Sequence, residues 1–253
     1  LNEGGSVAKV LALLYGLVSY ALFLSAFLYT IGFLANTLVP KSIDSGTPGL
    51  FGESLLINLV LLGLFAVQHT IMARQGFKKA WTRIIPAVAE RSTFVLVSSL
   101  ILVLMFWQWR PMPDIVWDIQ NQIGRSLLMA VGWIGWLTVL LSTFAINHFD
   151  LFGLRQVALF AGGKQYAPLR FTAGGIYSLV RHPIMLGFII AFWATPTMTV
   201  GHLVFAIATT GYTIMGIMIE ERDLVKAHPS YADYRKRVPM LIPLAKAPSD
   251  AKK

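Results

Sequence analysis

The chain has 253 residues, 56% of them apolar and 13% charged, a formal net charge of +9 and no cysteine. Soluble domains carry about 25% charged residues, so an ordinary soluble fold is excluded, as are disordered and collagen-like chains. The absence of cysteine excludes a disulfide framework, thiolate metal sites and a cysteine nucleophile.

Uncharged runs define the predicted elements. Residues 10–40, 54–73, 92–109 and 126–149 contain no Asp, Glu, Lys or Arg. Each run holds one membrane span of the roughly 20 apolar residues that a bilayer requires. The first is long enough to tilt, and its length and flanks do not fit a cleavable signal peptide. The fifth run, 183–219, has His202 as its sole histidine. It is too long for one span and holds two short ones, with Pro196 and Gly201 marking the bend. The expected fold is all-α: a polytopic integral membrane bundle of about six helices, the last two forming a tight hairpin. It reads as a single domain over 1–253, with a four-helix part over 7–150 and a loop, hairpin and tail over 151–253.

The basic residues orient the bundle. Of the 21 Lys and Arg, only Lys41, Arg110 and Arg125 fall on one side. The other side takes Lys9, the loop from Arg74 to Arg91, the loop holding Arg155, Lys164, Arg170 and Arg181, and the whole tail after Glu220. Basic residues stay cytoplasmic, so both termini are expected there. The same bias, with attraction to anionic headgroups of membrane lipids, accounts for the positive charge without nucleic acid. The larger connections also lie on that side, which is where a water-soluble ligand is expected. No internal repeat suggests the symmetrical halves of a transporter.

The richest stretch runs from Gly174 to Pro243. Arg181-His182-Pro183 stands where a polar loop enters a span, and proline suits the first helical position. The helix start offers free backbone donors and a positive dipole end, joined by the side chains of Arg181 and His182. Glu220 and Glu221 stand where the hairpin leaves the membrane. A hairpin returns its ends to one surface, so these donors and carboxylates face each other. A zwitterion with a carboxylate, an ammonium and a ribose diol suits that pairing. Taken singly, Arg181 reads as a helix-end anchor, the Glu pair as solvated acids, and Tyr231 and Tyr234 as interfacial tyrosines.

The pattern G-x-Y-x-x-x-R-H-P-x-x-x-G, an apolar hairpin, E-E and Y-x-x-Y-x-x-x-V-P-x-L-I-P resembles the isoprenylcysteine carboxyl methyltransferase and phospholipid N-methyltransferase group. Met185 departs from it, standing where many relatives carry an aromatic residue. The segments LLYGLVSYALFLSAFLYTIGFLANTLVPKSIDSG, FAVQHTIMAR, ERSTFVL and INHFDLFGLRQV resemble the bacterial methanethiol S-methyltransferases of the NnrU-like branch. The resemblance implies S-adenosylmethionine as methyl donor, S-adenosylhomocysteine as product and a small apolar thiol as acceptor. It implies a cofactor site in the C-terminal region at Tyr177, Arg181, His182, Pro183, Gly187, Glu220, Glu221 and Tyr234. An enzyme for an isoprenoid or lipid-like substrate, or a non-enzymatic NnrU-like membrane protein, is the alternative.

Thiol methylation gains from a base, and two places offer one. His148, with Asp150 two residues on as orienting partner, ends the fourth span, and His69, beside Gln68, lies in the second. Each also reads as an ordinary polar contact between helices. No close-spaced ligand motif predicts a metal site. His202 and His228 read as bystanders, and the Met, Phe and Trp stripes as lipid-facing or packing residues.

Overall fold

The computed structural model describes residues 5–169, 173–227 and 230–243. His228 and the basic residues Arg170, Lys246, Lys252 and Lys253 lie outside the described residues. The protein is a polytopic helical membrane protein, and among the described residues five helices are long and apolar enough to cross a membrane. They are α1 (Ser6–Ala35), α2 (Phe51–Ala73), α4 (Glu90–Gln108), α5 (Gln122–Ile146) and α9 (Val200–Ala227). Short helices stand between them: α3 (Gln75–Trp81), α6 (His148–Leu151), α7 (Leu154–Ala161), α8 (Pro183–Trp193) and α10 (Tyr231–Arg237). Residues such as Leu56, Trp133 and Leu137 are over half exposed on the long helices. Apolar residues on every face are what a helix in lipid requires.

The expected pair of short spans takes a different form. The run 183–219 is divided unequally, with 11 residues in α8 and 28 in the helix α9 that follows. At 1.5 Å per residue α8 is about 16 Å long, half the hydrocarbon thickness. Pro196 does lie in the turn, whereas Gly201 is already inside α9. The turn is also more ordered than expected, because β1 (Ile115–Asp118) and β2 (Thr197–Thr199) form a two-stranded sheet. Trp117 Nε1 donates to the Thr195 carbonyl at 3.2 Å, and Arg125 and Thr197 both donate to Asp118, at 2.9 and 2.7 Å. These bonds satisfy the polar groups that a break between apolar helices would otherwise leave bare.

The chain divides into two compact units. The first comprises residues 1–116, 147–168 and 199–205, the second residues 117–146, 169–198 and 206–253. In the first unit, α4 packs on α1 and α2, and α7 packs on α1. Gly153 precedes α7 at φ +89°, with Ser92 so close that a Cβ would fall 2.8 Å from its backbone nitrogen. That combination of left-handed backbone and contact admits only glycine.

In the second unit α5 packs along α8, and glycines set their distance. A Cβ on Gly135 would fall 2.7 Å from the Gly187 carbonyl oxygen, and one on Gly187 would fall 2.8 Å from the Val139 nitrogen. Helices in apolar surroundings associate by such close backbone approach, there being no hydrophobic drive between them.

Candidate functional site

The C-terminal signature gathers inside the second unit. Pro183 is the first residue of α8 and His182 its N-cap, as the missing N–H of proline favours. The cytoplasm-facing hairpin border expected from the sequence is thereby joined to the end of α9. Arg181 Nε donates to Glu221 Oε1 at 2.7 Å, and His182 Nε2 lies 3.1 Å from the same oxygen. A carboxylate only accepts, so Nε2 carries the hydrogen. Tyr231, from α10, adds a third donor to that oxygen at 3.3 Å. Arg181, His182, Glu221 and Tyr231 are all buried.

The tail is held by the same arginine. Arg181 NH1 donates to the carbonyls of Arg235 and Val238, at 2.9 and 2.7 Å. The backbone N–H groups of Arg181 and His182 donate to the carbonyls of Pro239 and Met240. Tyr234 donates its hydroxyl to the carbonyl of Tyr177, whose own hydroxyl donates to the carbonyl of Ser142 on α5. Burial pushes the Tyr177, Tyr231 and Tyr234 hydroxyls up from their ordinary pKa, with the Glu221 carboxylate adding to the effect at Tyr231. All three therefore remain neutral donors at neutral pH.

A buried ion pair is stable only when its remaining lone pairs and protons are satisfied. The network meets that condition and leaves the two acids in different states. Glu221 is enclosed, whereas the side chain of Glu220 is 48% exposed, with Oε2 at 3.8 Å from His182 Nδ1. An open pocket of about 420 Å³ adjoins, lined by Arg181, Glu221, Ala232, Arg235 and Lys236. Its lining thus carries cationic donors and an accepting carboxylate together, the two kinds of group that a zwitterion pairs with. Gly187 stands apart from this group, facing α5 at the crossing described above.

The residues nominated for proton transfer lie in the first unit. His148 is 6% exposed and its Nε2 is 2.8 Å from the hydroxyl of Tyr20. Burial holds its pKa below the usual histidine value. Asp150 is the third residue of a turn capped by Asn147, whose Oδ1 accepts its N–H at 3.0 Å. Its carboxylate takes Arg155 at 2.8 Å and Tyr166 at 3.4 Å. His69 lies between the rings of Phe65 and Phe94, with Nδ1 3.4 Å from Ser98 Oγ.

Four participants are not singled out by the sequence. Tyr231 was visible as the first tyrosine of Y-x-x-Y but reads equally as a membrane-interface residue. Arg235 and Lys236 were visible only as positive charge. Tyr20 is one tyrosine in an apolar span, and nothing local marks it.

Fold and site together define a polytopic helical membrane protein whose C-terminal hairpin and tail close around a buried Arg–His–Glu cluster. The NnrU protein family profile matches residues 56–241. A methanethiol S-methyltransferase of Mycobacterium tuberculosis is 54% identical over 236 residues, covering 93% of this chain and 97% of that protein. Methanethiol S-methyltransferase 2 of Bradyrhizobium diazoefficiens is 52% identical, covering 93% and 91%. A more distant relative, nurim of Mus musculus, is 27% identical over 68% of each chain. No solved structure gives a significant match. The chain belongs to the NnrU family and, within it, to the methanethiol S-methyltransferases, a family of methyltransferase enzymes.

Proposed function

We propose that the protein methylates methanethiol to dimethyl sulfide with S-adenosylmethionine as donor. The site is at the cytoplasmic face of a bacterial inner membrane, and both termini are cytoplasmic. One observation carries the donor assignment: Arg181, His182 and Tyr231 converge on one oxygen of Glu221 at the edge of a 420 Å³ pocket. The residues present fit a zwitterionic donor. Arg235 and Lys236, in the pocket lining, suit its carboxylate, and the half-exposed Glu220, outside that lining and 3.8 Å from His182 Nδ1, is the carboxylate left to suit its ammonium. Arg181 and Glu221, already paired, hold the pocket wall in place.

When bound, the donor supplies a methyl group on a positively charged sulfur. The reaction removes that charge as a thiolate attacks, so a site that excludes water and aligns the reactants favours it. The acceptor thiol is the obstacle, because even a cysteine thiol has a pKa of about 8.5. A positioned base is worth about 10²–10⁴-fold. His148 is the proposed base and His69 the competing candidate; Asp150, nominated from the sequence to orient His148, turns its carboxylate to Arg155 and Tyr166 instead. An apolar thiol reaches the protein through the lipid, and the charged donor reaches it through water.

The test is to incubate the purified protein with methanethiol and methyl-labelled S-adenosylmethionine and assay the headspace. Labelled dimethyl sulfide is expected. Saturable donor binding without a volatile product would reject methanethiol as acceptor. Calorimetry with no heat of donor binding would reject the donor.

A further inference from the structure

Tyr20 and His148 meet across 128 residues of sequence, the α1 phenol lying 2.8 Å from Nε2 of the imidazole. Aromatic rings surround the pair. Phe149 and Phe152 stand edge-on to His148, with centroids at 5.5 and 4.9 Å, and Phe23 is tilted against Tyr20 at 6.0 Å. Of the two polar groups, the imidazole is buried and the phenol is the more exposed. Tyr20 is thus the member of the pair that is open to a small apolar molecule, with His148 behind it. The charged groups nearby are engaged elsewhere: Asp150 with Arg155 and Tyr166, and Arg91, from α4, through Nε to the Leu151 carbonyl at 2.7 Å.

We infer that Tyr20 is a catalytic proton relay, accepting the proton of the thiol while handing its own to Nε2 of His148. This rests on the methyl-transfer reading above. The S–H bond breaks as the phenol oxygen gains the proton, and the phenol O–H breaks as Nε2 gains the second. Sulfur keeps the electron pair and becomes the thiolate that methyl transfer requires. His148 then releases its proton to water. The arrangement requires Nε2 to be the bare nitrogen of a neutral imidazole, which accepts from Tyr20 rather than donating to it. Burial keeps the ring in that neutral state.

Two measurements test the relay. In the first, Tyr20→Phe is compared with the parent for turnover of methanethiol across pH. A loss of at least about tenfold is expected at pH 7. It should shrink as pH rises and the free thiol ionises unaided, with donor affinity unchanged. A loss independent of pH, or no loss, overturns the relay. The second needs no turnover: ¹⁵N spectra of labelled histidine in the parent should place the hydrogen of His148 on Nδ1. A hydrogen on Nε2 overturns the relay, even if Tyr20→Phe does not fold. A parent that binds the donor but yields no dimethyl sulfide overturns the substrate reading instead. The imidazole spectrum then decides the relay alone.

Discussion

The two units hold polar groups among apolar helices in opposite ways. In the second, the solution is charged: Arg181 and Glu221 neutralise each other, and His182, Tyr231 and three backbone carbonyls add to their hydrogen bonds. In the first, the solution at His148 is a neutral phenol–imidazole pair among rings. The charged network ties together segments distant in sequence, and its members depend on one another. The neutral pair spans more of the sequence, 128 residues, but carries no charge, so neither member leaves a buried charge behind when the other is changed. The difference is between a cluster whose charges must be kept together and a pair whose members are both neutral.

The largest effect expected from this contrast follows from removing one charge of the buried pair. Glu221→Gln or Arg181→Met should each cost roughly 3–5 kcal/mol, because the partner is left buried and uncompensated. Thermal unfolding in micelles measures this, and donor binding should fall with it. The double variant should recover part of the stability, and costs that simply add would break the contrast. Next comes the α5–α8 crossing, where Gly187→Ala places a Cβ 2.7 Å from the Gly135 carbonyl oxygen. Overpacking of that kind costs about 1–3 kcal/mol, read in the same melts.

A smaller loss, about 0.5–1.5 kcal/mol, is expected for Tyr231→Phe, which removes one neutral hydrogen bond. The smallest effect belongs to the neutral pair and appears only in acid. The folded pKa of His148 is depressed, so the unfolded chain binds the proton first as pH falls through about 6.5. Its contribution to stability is present above that pH and is lost as pH falls toward the folded value. His148→Gln should therefore flatten the acid limb of the melting temperature between pH 7 and pH 5. An unchanged acid limb would mean that the imidazole is not held neutral by the fold.

Much of the architecture was legible because lipid imposes a simple rule: long uncharged runs become helices. The first four runs became α1, α2, α4 and α5. The division of the fifth was not legible, since apolar composition carries no mark of where a helix stops. Its end is fixed by Trp117, Arg125 and Asp118, which are remote in sequence from the residues they cap. The meeting of Arg181 with Glu221 could be read from hairpin geometry alone. That Arg181 would spend its remaining donors on the tail could not, because backbone carbonyls leave no trace in residue identity. Gly187 illustrates the converse: its place in the signature drew attention to the cofactor, whereas the structure sets it against a neighbouring helix.

Arg181 and its own backbone grip the strap at Val238, Pro239 and Met240 through main-chain oxygens. Every amino acid offers that atom, and proline, lacking an amide hydrogen, offers it as well as any other. The grip itself therefore sets no demand on which side chains stand there, and what Val238 owes to its identity is its packing against Tyr231 and Tyr234.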